Sequence, residues 1–384
     1  MVHSFSDLGV LPAFTERLAE RRITRPTAVQ SLVIPRLLEG HSLIFRSATG
    51  TGKTFAYLIP ALQMAGAQAG PAVLVCAPTM ELCSQIRDEA VFLVNGACAV
   101  NLLIGSAGME RQIEALKKNK PLAVVGNPGR LLLLAKMGKL ALGGLRYLVL
   151  DEADRLTAQD CREDMAALAG IIAAKTRNTK LTVAACSATV SETSAGALGP
   201  LLEGAPLVVT DEHEILRERI EHWAVFSESR AKTQTLISFI AAVQPKKMLV
   251  FTGRGYEAGK TAAILQGRGI AAVALYSGMD KKLRKEAIDR FRSGKALVLV
   301  SSDIAARGLD IPGISHVAAL ETGDNKDAYI HRAGRTGRAG KRGVMVSIGD
   351  ETEMRRLALL EKKLGITVNP KELYRGRLFT PTTE

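Results

Sequence analysis

The sequence predicts an α/β protein with two domains of similar build, each a mostly parallel sheet covered by helices. Its 384 residues exceed one ordinary hydrophobic core and fit two domains. Short apolar runs alternate with helix-like segments throughout both halves, which is typical of parallel strands connected by helices. A polar segment at 210–214 lies between the two series. We therefore expect a first domain at 1–208, a linker at 209–215 and a second domain at 216–384.

Each apolar run gives a candidate strand. The candidates of the first half are 43–46, 73–77, 101–105, 122–126, 147–150 and 182–186, and those of the second half are 222–226, 248–252, 271–275, 297–301, 316–320 and 343–348. The periodic segment from Glu351 to Leu364 predicts a last helix. After Gly365 we expect only a short tail, from Ile366 to Glu384.

The composition argues against a membrane or secreted protein. No segment approaches the roughly 20 uninterrupted apolar residues that span a bilayer. The segment from Met1 to Asp7 also lacks a basic stretch followed by an apolar core, so we expect a cytoplasmic protein. The cysteines have no Cys-x-x-Cys spacing, and they predict reduced core residues, neither disulfides nor a zinc site. They are Cys76, Cys83, Cys98, Cys161 and Cys186.

The positive charge is concentrated in the second half. Residues 1–215 contain 21 Lys and Arg against 20 Asp and Glu, whereas residues 216–384 contain 30 against 18. A basic half suits a polyanionic partner such as nucleic acid, although a basic surface alone also keeps a protein soluble. Because only 4% of the residues are aromatic, phosphate contact is favoured over base stacking as the way such a partner is held.

A glycine-rich segment in the first half predicts a phosphate-binding loop. It follows the apolar run 43–46 and consists of Ser47, Ala48, Thr49, Gly50, Thr51, Gly52, Lys53 and Thr54. The glycines allow successive backbone N–H groups to turn toward phosphate oxygens. Lys53 supplies a positive charge to the β- and γ-phosphates, and the Thr54 hydroxyl can bind Mg²⁺. The alternative is a glycine-rich turn that only connects a strand to a helix.

An acidic motif adds to this prediction. The apolar run 147–150 continues into Asp-Glu-Ala-Asp at 151–154, and the first aspartate lies 98 residues after Lys53. Asp151 can hold the same Mg²⁺ ion, and Glu152 can orient or deprotonate the attacking water. An acidic first turn would also complement a helix dipole without any chemistry. The occurrence of both motifs in this order predicts a nucleoside triphosphatase.

Two further motifs follow strand candidates in the second half. Residues 302–310 read Ser-Asp-Ile-Ala-Ala-Arg-Gly-Leu-Asp, and residues 331–338 read His-Arg-Ala-Gly-Arg-Thr-Gly-Arg. His, Arg and Gly at this density cannot bury an apolar face, although an arginine-rich turn can simply be solvated. A guanidinium stabilises the negative charge that develops on a transferring γ-phosphoryl group. These arginines can therefore complete the active site of the neighbouring domain, and hydrolysis would then require domain closure.

The motifs extend from about residue 5 to residue 338 and resemble those of the DEAD-box RNA helicases. The resemblance implies two tandem RecA-like domains with an interdomain cleft, and ATP and Mg²⁺ as cofactors. It also implies an ATP-dependent RNA helicase, in which RNA-stimulated hydrolysis is coupled to local duplex separation or to remodelling of RNA–protein complexes. The expected partner is RNA, read with weak sequence preference. The chain would act as a monomer, and a protein cofactor is allowed.

The resemblance assigns further roles residue by residue. Gln30, which ends the segment Arg-Pro-Thr-Ala-Val-Gln, would recognise the adenine edge, and Phe5 would stack on the base. Ser187, Thr189 and His331 would couple hydrolysis to strand separation. Three residues of the second domain would meet the nucleotide, the last two as arginine fingers: Asp310, Arg335 and Arg338.

The resemblance also implies RNA contacts, mainly to phosphates and sugars, which predicts weak sequence preference and salt sensitivity. The residues implied are Thr79, Gly105, Pro128, Gly129, Arg130, Thr252, Arg254, Arg284, Ser302, Asp303, Arg307 and Gly308. The chain departs from the family pattern at Ile23, Met80, Ser106, Asn127 and Lys281. None of these positions belongs to the hydrolytic set. Met80, which stands where the family has arginine, removes a cation from the RNA contacts of the first domain.

Three functions stay open on the sequence alone. The first is an ATP-dependent RNA helicase that separates short duplexes, and the second is an ATP-gated RNA clamp or assembly factor with little unwinding. The third is a DNA-directed helicase. The adenine motif at Gln30 and the Asp-Glu-Ala-Asp spelling favour RNA over DNA. The presence of Glu152 argues against an inert scaffold.

Overall fold

The computed structural model describes residues 4–46, 51–66, 70–187, 198–202, 205–209, 216–253, 255–306, 311–337 and 341–381. These residues form two compact units, a first unit up to residue 209 and a second unit from residue 216 on. Each unit is a mostly parallel sheet covered by helices, which confirms the predicted fold class. No helix in the described ranges is long and apolar enough to cross a membrane.

Within its described residues, the first unit has a sheet of seven parallel strands. In chain order these are β1 Leu43–Arg46, β2 Val73–Cys76, β3 Val100–Leu103, β4 Ala123–Gly126, β5 Tyr147–Asp151, β6 Thr182–Ser187 and β7 Leu207–Val209. Their order across the sheet is β3-β4-β2-β5-β6-β1-β7. The central strands β2, β4, β5 and β6 are buried along their whole length, because helices cover both faces of the sheet.

The helices of the first unit connect these strands. They are α1 Pro12–Glu20, α2 Ala28–Leu38, α3 Lys53–Ala65, α4 Met80–Val94, α5 Met109–Asn119, α6 Pro128–Lys136, α7 Ala153–Leu156, α8 Arg162–Lys175 and α9 Gly199–Leu202. A short 3₁₀ helix at Ser6–Leu8 precedes them. Two apolar clusters of buried side chains lie against the sheet, one containing Phe45 and Tyr57 and the other containing Leu74 and Leu148.

The second unit repeats this architecture with a larger sheet. Its described strands are β8 Ile220–Phe226, β9 Met248–Thr252, β10 Ala272–Leu275, β11 Val298–Ser302, β12 His316–Ala319, β13 Gly343–Gly349, β14 Val368–Tyr374 and β15 Arg377–Phe379. The order is β10-β11-β9-β12-β13-β8-β14-β15, and only the last pair is antiparallel. The helices are α10 Lys232–Val243, α11 Gly255–Gly267, α12 Lys281–Arg292, α13 Asp303–Ala306, α14 Lys326–Ala333 and α15 Glu351–Leu364.

The C-terminal segment differs from the sequence prediction. The short tail expected after Gly365 contains two strands, β14 and β15, and β14 extends the sheet by pairing with β8. Pro370 lies within β14, and a proline inside a run is a signal against a strand because it has no N–H to donate. The three-residue strand β7 was not predicted either, since it is shorter than the runs from which strands are predicted.

A buried histidine connects two parts of the second unit. His222 on β8 lies 2.9 Å, through Nε2, from the carbonyl oxygen of Leu216, and Nδ1 lies 2.8 Å from the Tyr329 hydroxyl on α14. A carbonyl can only accept a hydrogen bond, so Nε2 carries the proton and Nδ1 accepts from Tyr329. Burial lowers the pKa of His222, because the imidazolium form is poorly solvated there.

This network predicts a loss of stability of the second unit at acid pH. Because the folded pKa of His222 lies below its unfolded value of about 6.5, the unfolded chain binds more protons once the pH falls below that value. Urea midpoints should therefore decrease from pH 7 to pH 5, and decrease less in His222→Gln. Trp223, the single tryptophan of the chain, lies beside His222, so its fluorescence reports this unit. Equal pH dependence in both proteins would contradict the prediction.

Candidate functional site

The sequence-predicted residues of the first unit lie at the carboxyl edge of its sheet, in two groups. The phosphate loop, Asp151 and Ser187 follow or end β1, β5 and β6, which are neighbours in the sheet. Thr79, Gly105 and the segment 128–130 follow β2, β3 and β4, which are also neighbours. Ligands of open α/β sheets bind outside the carboxyl ends of the strands. Proposed ATP contacts and proposed RNA contacts thus occupy different halves of one edge.

The described end of the phosphate loop is connected to the adenine motif. Gln30 is 2% exposed, and its Nε2 donates to the carbonyl oxygen of Gly52 over 3.1 Å. Its Oε1 accepts from the backbone N–H of Thr27, which also caps α2. Gly52 has φ of +89°, and a Cβ there would lie 2.5 Å from Gln30 Nε2, so glycine is required for conformation and for space. One hydrogen on Nε2 and one lone pair on Oε1 of Gln30 remain to bind the edge of an adenine base.

The carboxylate of Asp151 is held by three donors. Oδ2 accepts from the Tyr57 hydroxyl over 2.8 Å. Oδ1 accepts from the backbone N–H of Glu152 over 2.9 Å and from Cys186 Sγ over 3.0 Å. Asp151 and Cys186 are register partners on β5 and β6, which explains their approach. Asp151 is thus fixed in position at the end of its strand.

The surroundings keep these donors protonated. Burial raises the pKa of Tyr57, and the nearby Asp151 carboxylate raises it further, while a hydrogen bond with Thr54 acts in the opposite direction. Burial and Asp151 likewise raise the pKa of Cys186, and the Lys53 charge opposes them. Both side chains are therefore neutral donors at physiological pH. Lys53 and Thr54, the first two residues of α3, interact with the same cluster.

Glu152 has a strained backbone. Its φ of 51° and ψ of 53° place it in the left-handed region, which a residue other than glycine rarely adopts. Such a conformation costs on the order of 1 kcal/mol or more and is found most often at functional sites. Here it lies between the end of β5 and the start of α7. The strain supports a role beyond capping the helix.

The residues present fit a nucleotide-bound Mg²⁺ ion. Mg²⁺ in phosphoryl-transfer sites binds one or two protein oxygens and completes its shell with phosphate oxygens and water. Such a site needs no cluster of protein ligands, and the described residues contain no group of three or more His, Cys, Asp or Glu side chains suited to a metal. Thr54 and Asp151 supply a hydroxyl and a carboxylate, and Tyr57, one turn after Thr54 on α3, hydrogen-bonds to the carboxylate.

Phe5 is not positioned for the stacking role implied by the resemblance. Its side chain is 3% exposed and belongs to the apolar core of the first unit. A base could stack on the ring only after the turn around residues 4–9 had moved. The stacking role of Phe5 stays a prediction.

Two of the proposed RNA residues of the first unit, Arg130 and Gly105, contact each other. Arg130 Nη2 donates to the carbonyl oxygen of Gly105 over 3.2 Å, which connects the loops after β3 and β4. Thr79 accepts from the backbone N–H of Leu82 and caps α4. Among the described residues, Arg130 Nη1 and Asn127 Oδ1 are buried without a hydrogen-bond partner. A buried polar atom of this kind is usually satisfied by a partner or a ligand, which is consistent with a binding role.

The proposed RNA residues of the second unit also follow neighbouring strands. Thr252 and Ser302 end β9 and β11, which pair in register, and Arg284 lies on α12 after β10. Arg284 Nη2 donates to the carbonyl oxygen of Ala305 over 3.2 Å, so α12 and α13 are connected. Gly253 follows Thr252, and a Cβ there would lie 1.3 Å from a carboxylate oxygen of Glu321. A larger residue at this position would therefore displace the Glu321 carboxylate.

Arg332 organises the loops around the arginine motif. Its Nε and Nη2 donate to the two carboxylate oxygens of Asp303 over 2.7 and 2.5 Å, and Nη1 donates to the carbonyl oxygen of Glu321. The guanidinium also lies 5.4 Å from the centroid of the Phe251 ring. His331 precedes it in the last turn of α14, and Arg335 follows that helix with 6% exposure. The Asp303 carboxylate is therefore bound by Arg332 within the same unit.

Several predicted site residues lie outside the described residues. They are Ala48, Thr49 and Gly50 of the phosphate loop, Thr189, Arg254, Arg307, Gly308, Asp310 and Arg338. Their assigned roles stay predictions.

Sequence reasoning did not single out three residues that the structure brings into these sites: Tyr57, Cys186 and Arg332. One of them carried a usable signal. Tyr57 lies three residues after Thr54 on α3, a spacing that places two side chains on one face of a helix. Cys186 occupies the same level as Asp151 on the neighbouring strand, but this register is visible only in the folded sheet.

Two family models match the chain. The DEAD/DEAH box helicase model matches residues 27–197, and the helicase conserved C-terminal domain model matches residues 231–340. A curated relative from Bacillus cereus, the DEAD-box ATP-dependent RNA helicase CshC, is 37% identical over 352 residues, which are 91% of this chain and 88% of that protein.

Solved structures have the same fold. The structure of S. cerevisiae Dbp5 bound to RNA and ADP BeF3 matches with a TM-score of 0.83 at 23% identity and covers 97% of this chain and 96% of that one. Mss116p, with its NTE and C-tail deleted and bound to ssRNA and AMP-PNP, matches with a TM-score of 0.86 at 25% identity over 98% and 80% of the two chains. These likenesses show the fold, and the family models together with the CshC relative show that the chain belongs to the DEAD-box ATP-dependent RNA helicases.

Proposed function

We propose that this RNA helicase hydrolyses Mg²⁺-bound ATP at the Asp151 edge of the first unit and uses the reaction to separate short RNA duplexes locally. Lys53 binds the β- and γ-phosphates, while Thr54 and Asp151 hold the metal ion. The ion neutralises charge on the phosphates when it is bound. Glu152 orients the attacking water and accepts its proton. Arg335 and Arg338 of the second unit stabilise the developing charge, so both units are required, within one monomer.

One observation carries this proposal. Tyr57 donates a hydrogen bond to Asp151, and Thr54 lies one helical turn before Tyr57 on α3, so the two proposed metal ligands belong to one cluster although they lie far apart in the sequence. Glu152 follows directly with a strained backbone. A structural turn alone would not require a buried carboxylate held by three donors. The arrangement supports phosphoryl transfer over a purely structural role for the acidic motif.

The Arg130–Gly105 contact and the Arg284–Ala305 contact support RNA binding through the backbone of the nucleic acid. In both cases a guanidinium is fixed by a main-chain carbonyl at the carboxyl edge of a sheet. The fixed guanidinium of Arg130 retains a further N–H donor at Nη1, which can bind a phosphate oxygen. Phosphates are common to all sequences and to DNA, so the choice of RNA would rest on the 2′-hydroxyl.

The experiment is ATP turnover measured with no nucleic acid, single-stranded RNA, duplex RNA and DNA of matched sequence. Stimulation by RNA alone is expected. A fluorescent strand-displacement assay with the same duplex then separates unwinding from clamping. ATP turnover without strand release, together with long-lived RNA binding in the presence of a non-hydrolysable ATP analogue, would favour the RNA clamp. Equal stimulation by DNA would contradict the RNA assignment.

Met80→Arg is expected to raise RNA affinity and to steepen the logarithmic salt dependence of single-strand binding by about 0.7. Met80 is the first residue of α4, next to Thr79, and an arginine there adds one phosphate contact. Met137→Arg is the matched control, because it adds the same charge at the far end of α6. Binding across a salt series measures both. Equal slopes in the two variants would mean that only net charge matters, and an unchanged slope in Met80→Arg would remove residue 80 from the RNA contacts.

A further inference from the structure

The position of the Asp151 carboxylate depends on two side chains to which the family motifs give no role. Tyr57 on α3 donates to Oδ2, and Cys186 on β6 donates to Oδ1. Both side chains are fully buried, so neither contact is exchanged with water. Each oxygen of the carboxylate thus has a fixed neutral donor.

Neutral donors suit a carboxylate that must stay charged. A lysine or arginine at the same place would neutralise Asp151 and compete with a metal ion, whereas an O–H or S–H group orients the oxygen and leaves its charge. Each carboxylate oxygen has about two lone pairs. Oδ1 uses two of them on Glu152 N–H and Cys186, while Oδ2 uses one on Tyr57. The remaining acceptor site is therefore on Oδ2, the oxygen that accepts from Tyr57.

We propose that Tyr57 is a positioning residue for the metal-binding carboxylate, with Cys186 as a weaker second donor. The hydroxyl of Tyr57 holds Oδ2 of Asp151 against α3, the helix that begins with Lys53 and Thr54, so it fixes the carboxylate relative to the other proposed metal ligand. An S–H group is the weaker donor, and Cys186 therefore contributes less. This inference rests on the proposed role of Thr54 and Asp151 in binding Mg²⁺.

The test is a Mg²⁺ titration of Tyr57→Phe, which removes only the hydroxyl. Binding of a fluorescent non-hydrolysable ATP analogue is followed as Mg²⁺ increases, and again in EDTA. The Mg²⁺ midpoint should rise by about 10- to 100-fold, the usual effect of losing a second hydrogen-bonding shell around a metal. Affinity in EDTA should stay unchanged, and the turnover number should recover at saturating Mg²⁺.

Tyr147→Phe is the matched control. Tyr147 is a second buried tyrosine of the same unit, and its hydroxyl donates to the carbonyl oxygen of Leu37 over 2.5 Å. It lies at the other end of β5, about 13 Å from Asp151 at the usual rise per residue. Both variants lose one buried hydrogen bond, so they should lose similar thermal stability. Only Tyr57→Phe should change the Mg²⁺ midpoint, and equal midpoints in the two variants would leave Tyr57 with a structural role only.

Three further variants complete the experiment. Cys186→Ala should raise the Mg²⁺ midpoint less than Tyr57→Phe does, and Cys186→Ser, which keeps a donor, should restore the parental midpoint. If Tyr57→Phe does not fold, the two Cys186 variants decide the question. Equal midpoints in Cys186→Ala and Cys186→Ser would then overturn the inference. Asp151→Asn distinguishes the positioning role of Tyr57 from the proposed role of Asp151 in binding Mg²⁺. An unchanged midpoint in Asp151→Asn would refute the proposed metal role itself. A raised midpoint in Asp151→Asn with a normal one in Tyr57→Phe would refute only the positioning role.

Discussion

Replacing Glu152 with glutamine is expected to slow RNA-stimulated ATP hydrolysis by about 10²- to 10⁴-fold, the usual contribution of a general base. ATP and RNA binding should remain largely intact. The substitution keeps the size of the side chain and leaves Lys53, Thr54 and Asp151 unchanged, so it removes the proton acceptor without removing the phosphate and metal contacts. The variant should therefore accumulate in the ATP- and RNA-bound state. Single-turnover hydrolysis and equilibrium binding of labelled RNA measure the two effects.

The left-handed backbone of Glu152 affects how a loss of activity in this variant is interpreted. Glutamine and glutamate have the same backbone preferences to a first approximation, so Glu152→Gln should keep the φ of 51° and its strain. A loss of activity would then come from the side chain and not from a relaxed loop. Glu163→Gln, an exposed position in the first turn of α8, loses the same charge and should retain full turnover. Equal turnover in Glu152→Gln and the parent would remove this residue from the mechanism.

The sequence predicts the fold well where local signals agree. The last helix was expected at 351–364 and has these bounds, because Asp350 and Glu353 form a capping box and Gly365 ends the helix in the left-handed region. The hairpin of β14 and β15 was missed because Pro370 weakens the local pattern. The position of this hairpin in the sheet depends on pairing with β8, which lies more than a hundred residues earlier in the chain. Pairing at that distance is a tertiary property.

The candidate site likewise contains residues that the sequence predicts and residues that only the folded structure reveals. Motif residues such as Asp151 and Glu152 follow recognisable apolar runs, so their position at a sheet edge could be predicted from the sequence. Tyr57 reads as an ordinary apolar helix residue until its hydroxyl is seen to meet Asp151. Phe5 shows the opposite case, since its role came from the resemblance and its ring lies in the core. Contacts between neighbouring strands are the part that no local pattern contains.

Arg335→Ala is expected to reduce RNA-stimulated turnover by about 10³-fold or more, the usual cost of losing an arginine finger. The guanidinium would stabilise charge on the γ-phosphoryl group only in the transition state, so ATP binding should change far less than the turnover number. Arg338→Ala is expected to behave in the same way. Arg342→Ala, at an exposed position of the same unit, is the matched control and should keep normal activity.

The burial of Arg335 requires a second variant. The side chain is 6% exposed, so alanine could also disturb the packing of the turn that follows α14. Arg335→Lys keeps the charge and most of the volume but loses the planar fork that binds two oxygens at once. If Arg335 acts on the phosphoryl group, lysine should recover little activity while Trp223 fluorescence gives the parental urea midpoint. Full activity in Arg335→Lys would show that charge alone suffices. Normal turnover in Arg335→Ala would remove Arg335 from the catalytic set and, with it, the main reason why the first unit should need the second for hydrolysis.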